Sequence, residues 1–229
     1  MSQNLSKRIF TSFILLILFL IINFGHQYVF NLSLLIISTI ICIEANKMYS
    51  KLSCHNSLEK KYAIKKFNFK FLILNLLTFC YIFFIFCNFS YIIHVLKGPT
   101  FFLYIISICF FTDIGGYVFG KTIGGKKLSK ISPNKTISGT IGSFISSIIP
   151  LMIFLNFEYF DLEFNLSFIM FNLTVSLASQ LGDLSISFLK RKAKVKDTGK
   201  ILPGHGGILD RMDGIIFAVP LSYFLLKLI

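Results

Sequence analysis

Acidic residues are scarce in this sequence: ten Asp and Glu stand against 23 Lys and Arg among 229 residues, and the formal net charge is +13. The cysteines are few and unpatterned. Cys42, Cys54, Cys80, Cys87 and Cys109 form no CxxC or Cys/His pair, which argues against a zinc site or a disulfide framework and leaves them as small apolar residues in or near spans. Charged residues of both signs make up only 14% of the chain while 55% is hydrophobic, a balance unlike that of a soluble domain. No internal repeat or low-complexity linker is present, so an array of small modules is not expected. No small-x-small cleavage site follows the first apolar run, Ile9 to Gly25, despite its basic flank of Lys7 and Arg8. That run therefore reads as a retained first span rather than a removed signal.

What the sequence has in quantity is long apolar runs. Crossing a bilayer takes roughly 20 residues, and seven stretches qualify as candidate spans: about 9–25, 28–44, 70–88, 100–119, 139–157, 164–186 and 209–228. The segment "SYIIHVLKG" (Ser90 to Gly98) is either an interfacial piece or the extension of a span. The expectation is an all-α, polytopic integral membrane protein with about seven transmembrane helices and cytoplasmic polar loops. With the N-terminus in the cytoplasm, the cytoplasmic segments are the N-terminus, 45–70, 120–138 and 187–208. All Lys and Arg but Lys97, Arg211 and Lys227 then fall there. The opposite side carries the acidic "EYFDLE", Glu158 to Glu163. This is the positive-inside asymmetry. It makes contact with anionic lipid, rather than nucleic acid, the expected use of the positive charge.

The placement of the acids narrows the chemistry. Glu158, Asp161 and Glu163 fit a solvated outer loop, Glu59 a basic loop, and Glu44 a span end at the interface. Asp197 lies in the last basic loop, and the others fall within or at the edge of spans: Asp113 in "CFFTDIGGYVFG", Asp183 in "ASQLGDLSISFLKR", Asp210 and Asp213 in "GILDRMDG". A carboxylate at a span centre costs roughly 2.5–3.5 kcal/mol on insertion scales, so such groups are usually paired or functional. If "GGILDRMDGIIF" begins one helix, Asp210 and Asp213 share a face near its N-terminus. Converging carboxylates repel unless a cation sits between them, and hard oxygen ligands suit Mg²⁺. Asp183 is expected to approach from a neighbouring span. The bland alternative is that Asp210 or Asp213 pairs with Arg211 or a nearby lysine.

Two polar islands accompany these acids. "LPGHGG" (Leu202 to Gly207) is dense enough in glycine to wrap backbone N–H groups around an anion, and it places His205 where a phosphate contact is favoured over a metal-ligand role. "GGKKLSKISPNKTISGTIGS" (Gly124 to Ser143) gathers Ser132, Asn134, Lys135, Thr136 and Ser138 where a loop enters a span. It reads either as a basic loop ending in a helix cap at Ser138 or nearby, or as a second arm gripping a triphosphate or a lipid phosphate.

Ser187 to Asp213, "SFLKRKAKVKDTGKILPGHGGILDRMD", resembles the signature of the phosphatidate cytidylyltransferase (CDP-diacylglycerol synthase) family. The pattern is Ser-x-hydrophobic-Lys-Arg, four residues, Lys-Asp, a Pro-Gly-His-Gly-Gly turn and Asp-Arg-x-Asp. "SPNKT" (Ser132 to Thr136) and "TDIGGYVFGK" are similar to further family segments, so the resemblance covers roughly residues 100–229. It divides the chain into N-terminal helices with a basic loop, 1–99, and a catalytic membrane region, 100–229. It implies conversion of CTP and phosphatidic acid to CDP-diacylglycerol and pyrophosphate in an inner (plasma) membrane, with the active site on the cytoplasmic side. Mg²⁺ is the implied cofactor, a second metal ion is left open, and some family members are dimers, which leaves a homodimer open here.

By position, the resemblance implies that Asp183, Asp210 and Asp213 are linked to the metal and that Asp210, Asp213, Lys196 and Asp197 are catalytic. It implies that Ser132, Lys135, Thr136, Lys190, Arg191, His205, Gly206, Gly207 and Arg211 bind substrate. The family's second motif usually continues Lys-Thr-Trp-Glu-Gly, whereas here it reads Lys135-Thr136-Ile137-Ser138-Gly139 in a chain with no tryptophan. Two rival functions remain. A CTP-dependent polyprenol kinase would release CDP rather than pyrophosphate. An ion-coupled transporter would use Asp113, Asp183 and Asp213 as a relay but would have no use for the Gly-His-Gly-Gly turn.

Overall fold

The computed structural model describes residues 2–55, 69–128, 135–156, 165–199, 201 and 206–228, with side chains described from residue 13 onward and not at 53–55 or 70. The described residues are largely helical, as expected, and form no strand; Lys127 and Thr136 make an isolated antiparallel bridge. In order, the helices are α1 (Ser2–Phe24), α2 (Gln27–His55), α3 (Phe69–Cys80), a π-helical stretch Tyr81–Cys87, α4 (Asn88–Lys97) and α5 (Pro99–Thr122). They continue with α6 (Ile137–Ser146), α7 (Ile149–Phe154), α8 (Leu166–Lys192), α9 (Leu209–Met212) and α10 (Ile215–Leu225).

Local chemistry explains several boundaries. Gly98 at φ 88° turns the chain, and Pro99 follows at the first position of α5, where its missing N–H costs nothing. Thr136 caps α6 by accepting from the Gly139 N–H at 3.1 Å.

Among the described residues, four stretches are long and apolar enough to cross a membrane: Gln27–Leu52, Phe71–Lys97, Pro99–Thr122 and Ile137–Phe154. They account for four of the seven spans read from the sequence. "SYIIHVLKG" extends a span, because α4 continues the helical run begun by α3. The other three expected spans differ in character. The first contains the shorter apolar helix Phe13–Phe24. The sixth is α8, whose buried face carries Asn172, Ser176, Ser179 and Gln180. The seventh is interrupted: α9 ends at Met212, and Asp213 and Gly214 form a turn before α10. Many large apolar side chains are exposed, among them Leu32, Phe84, Ile114 and Ile141, as expected for surfaces that face lipid.

The chain forms two compact units, neither contiguous in sequence: residues 1–88 with 188–212, and residues 89–187 with 213–229. In the first unit α2 is central and packs against α1, α3, the π-helical stretch and α9. Phe30, Ile41, Met48, Ile82 and Phe86 are buried there. In the second unit α5 packs against α6, α7 and α10 around buried Tyr104, Ile108, Leu151, Phe171 and Val219. The α5–α6 contact is made by small residues. A Cβ added at Gly115 would meet Ser146 and the Gly142 carbonyl, and one added at Gly139 would lie 2.7 Å from the Gly116 carbonyl. Such contacts let helix backbones approach closely, the usual means of association where apolar burial offers no preference over lipid.

The interior of the second unit is polar as well. The Tyr104 hydroxyl donates to Asn172 Oδ1 at 2.7 Å, the Thr112 hydroxyl to Ser176 Oγ at 2.9 Å, and the Ser143 hydroxyl to the Thr112 carbonyl at 2.7 Å. These pairings offset the cost of burying hydroxyls and amides away from water.

Candidate active site

The first unit holds the basic cluster and the glycine-dense turn of the signature. Lys190, Arg191 and Lys192 form the last turn of α8, where cations suit the negative end of the helix. The chain reverses after α8 through Lys194 at φ 53° and reaches Thr198, which is buried. Lys196 and Asp197 beside it are exposed. His205 and Ser132 lie outside the described residues.

Asp210 is the acceptor on which this unit's donors converge. Lys190 Nζ donates to its Oδ1 at 2.8 Å. Its Oδ2 accepts from the Thr198 N–H at 2.8 Å and the Gly207 N–H at 3.1 Å, and the Thr198 hydroxyl lies at 3.0 Å. The side chain is only 9% exposed. Charge-assisted bonds of this kind are the strong ones. Of the glycine-dense turn, the Gly207 N–H is thus directed at a carboxylate of the same chain. Gly206 adopts φ 91°, and a Cβ there would crowd Asp210 Oδ2 and Asp197. The lysine pairing anticipated as the bland alternative for Asp210 is present, with Lys190 as the partner. Arg211, on α9, is exposed.

A second carboxylate in this unit was misjudged from the sequence. Glu44, expected at an interface, is 1% exposed. From α2 it accepts the Ile208 N–H on Oε1 at 3.2 Å and the Leu209 N–H on Oε2 at 2.9 Å, and the Thr198 hydroxyl lies 3.2 Å from Oε2. Its partners are 154 to 165 positions away in sequence, a separation that no periodicity can bridge. The available signal was a lone acid followed by small and polar residues late in an apolar run.

The second unit holds the other acids. Asp183, on α8, is ion-paired with Lys135 and accepts from the Ser187 hydroxyl at 3.2 Å. Asp213 is 9% exposed and lies within hydrogen-bonding reach of Asp183. The close approach of α8 to the turn before α10 depends on glycine: a Cβ at Gly182 would meet the Asp213 carbonyl, and one at Gly214 would meet Ser179. Asp213 and Asp210 do not share a helix, which corrects the single-helix expectation. Asp213 Oδ1 accepts the Gly214 N–H at 2.9 Å, a local side-chain bond that competes with helix continuation. Lys135 is held by a short loop closure: the Leu128 N–H donates to the Lys135 carbonyl at 2.8 Å and the Ile137 N–H to the Lys126 carbonyl at 3.0 Å. Thr136 serves as the α6 cap. Asp113 is exposed on α5.

Among the described residues, no three His, Cys, Asp or Glu side chains gather into a complete metal-binding group. The Asp183–Asp213 pair nevertheless fits Mg²⁺, which binds one or two carboxylates and completes its shell with water and substrate phosphates. Two carboxylates in mutual reach call for a positive charge or a proton between them.

Comparison with known proteins places these features. Residues 55–229 match the cytidylyltransferase family. The chain is 46% identical over 130 residues to a phosphatidate cytidylyltransferase of Staphylococcus haemolyticus, which covers 56% of this chain and 50% of that protein. It is 42% identical over 132 residues to the Bacillus subtilis phosphatidate cytidylyltransferase, covering 57% and 49%. It is 49% identical over 135 residues to the one from Staphylococcus aureus strain COL, covering 57% and 50%. The chain thus spans about half the length of the curated relatives it matches. With the family match extending over residues 55–229 and taking in Asp183, Lys190, Asp210 and Asp213, the chain belongs to the cytidylyltransferase family.

Proposed function

We propose that this chain catalyses the transfer of the cytidylyl group of CTP to phosphatidic acid, forming CDP-diacylglycerol and pyrophosphate at the cytoplasmic face of a bacterial inner membrane. The observation that carries the reading is the arrangement around Asp210. Lys190, the Thr198 and Gly207 amides and the Asp210 carboxylate are locked together inside the signature segment. A signature kept only for membrane topology would not need an acid held by four donors.

The phosphate monoester of phosphatidic acid is already anionic, so no base is required. One of its oxygens forms a bond to the α-phosphorus of CTP, and the bond from that phosphorus to the α,β-bridging oxygen breaks, so that pyrophosphate leaves with the electron pair. The protein must bring two anions together and neutralise the charge that develops. Lys190, Arg191, Lys196 and Arg211 are the cations of the signature assigned to this task. Lys196, Arg191 and Arg211 are exposed and reach solvent-borne CTP, while Lys190 orients Asp210. Lys135 and Ser132 are assigned to the phosphate of the lipid, and His205 with Gly206 to the nucleotide phosphates. Asp197 orients Lys196. Asp183 and Asp213 would hold Mg²⁺, which would supply Lewis-acid polarisation of phosphoryl oxygens. Asp210 is assigned to the catalytic acids, held in place by Lys190 and the amides of Thr198 and Gly207.

The test is purification in detergent and assay of pyrophosphate release, with CTP, phosphatidic acid and Mg²⁺ omitted in turn. Release that needs all three supports the reading. Release of CDP instead would identify a lipid kinase, and ion flux in liposomes without any nucleotide would identify a transporter. Asp210→Asn is expected to lower turnover by about 100-fold or more, the scale of losing a preorganised electrostatic group, with the protein still inserted. Near-normal turnover would remove Asp210 from the site.

A further inference from the structure

Glu44 is a buried carboxylate that the proposed chemistry does not use. It lies upstream of residues 55–229, the part of the chain matched to the family. At 1% exposure it meets no substrate, and burying such a group is costly unless its oxygens are satisfied. They are satisfied by both limbs of one loop. Thr198 belongs to the limb that enters the glycine-dense turn, and Ile208 and Leu209 belong to the limb that leaves it. Two glycines make room for this contact. A Cβ at Gly199 would collide with Glu44 Oε1, and one at Gly207 would collide with the Thr198 hydroxyl and crowd Glu44 Oε2.

The same limbs bind Asp210, through the amides of Thr198 and Gly207. Thr198 joins the two acids directly. Its hydroxyl lies 3.2 Å from Glu44 Oε2 and 3.0 Å from Asp210 Oδ2, yet it has one proton to donate. Only one of the two carboxylates receives that proton at a time.

We propose that Glu44 is a positioning residue for Asp210: it pins the two limbs of the turn together and is the alternative acceptor for the Thr198 hydroxyl, so that Asp210 keeps its orientation when that proton is withdrawn from it. The proposal rests on the cytidylyltransferase reading for its effect on turnover, but its structural half stands without it.

The experiment uses the full chain in detergent and compares wild type with Glu44→Gln, Thr198→Val and the double variant. Two quantities are read: amide hydrogen exchange across residues 206–212, and kcat and KM for CTP in pyrophosphate release. In Glu44→Gln, exchange at Ile208 and Leu209 is expected to rise by about tenfold while exchange in α5 and α6 stays unchanged, the pattern of a local opening. The kcat is expected to fall about tenfold to 100-fold, with KM for CTP within about threefold, because the loss is one of alignment rather than of nucleotide contact. Because the two residues act through one proton, the double variant is expected to be no worse than the poorer single one by more than about twofold. Should Glu44→Gln fail to fold, Thr198→Val removes the shared hydroxyl with little change of shape and must itself lower kcat. Unchanged exchange at Ile208 and Leu209, uniform exchange throughout the chain, or additive losses in kcat would each overturn the proposal. If wild type releases no pyrophosphate, the cytidylyltransferase reading fails, and the exchange data alone decide the role of Glu44.

Discussion

Asp210 and Asp183 are both ion-paired acids, but their partners differ in kind, and that difference sets what each substitution does. Asp210 is held by Lys190 at the end of α8 and by backbone donors from its own loop. Asp183 meets one lysine, one hydroxyl and another acid, Asp213. If Mg²⁺ is held by the Asp183–Asp213 pair as proposed, removing charge at Asp183 takes away one of its two ligands. Asp183→Asn is expected to raise the Mg²⁺ concentration for half-maximal turnover by about tenfold or more, the usual scale for a disturbed metal shell, as measured by Mg²⁺ titration at saturating CTP. An unchanged midpoint would argue against Asp183 as a ligand. Gly207 tests the packing around Asp210. Gly207→Ala drives a methyl group into Thr198, with Gly199 N only 2.7 Å away, and is expected to destabilise the protein by about 1–3 kcal/mol. Thermal unfolding in detergent checks this. The acids at span edges were legible because charge in an apolar run is expensive and stands out. Glu44 was not, because only the fold brings α2 to the turn at Gly207, and the small and polar residues that follow it mark an unusual place in the run without naming its partners.

At the scale of elements, the α5–α6 contact depends on residues whose value lies in what they lack. Gly116 and Gly120 on α5 form a GxxxG pair, and Gly120 and Gly139 lie in close contact. That spacing is readable in "GGYVFGK", and it indicates a helix-packing face as well as a family motif. Gly115→Ala is expected to cost about 1–3 kcal/mol through overpacking. Ser146→Gly in the same molecule should restore only part of that, because the Gly142 carbonyl remains 2.7 Å from the added carbon. Full restoration, read by unfolding midpoints of the single and double variants, would mean that Ser146 alone is the obstacle. The expected helix through Asp210 and Asp213 illustrates the opposite case. Spacing of three suggests a shared face, but the side chain of Asp213 takes the Gly214 amide and the helix breaks. A periodic pattern cannot register a competing hydrogen bond made within two residues.

For the whole molecule, the distribution of charge carries most of the functional expectation. The helical, membrane-spanning character was legible because apolar runs of sufficient length have few other uses. The span read at 164–186 corresponds to α8, which is not among the four described stretches apolar enough to cross a membrane, and its interior polar residues, such as Ser176 paired with Thr112, lower its hydropathy. Sidedness rests on the concentration of Lys and Arg in four segments, and it can be tested without any assay of chemistry. With the five native cysteines replaced by alanine, Lys192→Cys at the end of α8 is expected to react with a membrane-impermeant maleimide only from the cytoplasmic side. Lys97→Cys at the end of α4 is expected to react only from the opposite side. CTP is made and used in the cytoplasm, so labelling of Lys192→Cys from outside would put the signature on the wrong face for its nucleotide and would defeat the proposed reaction even if every side-chain contact around Asp210 were correct.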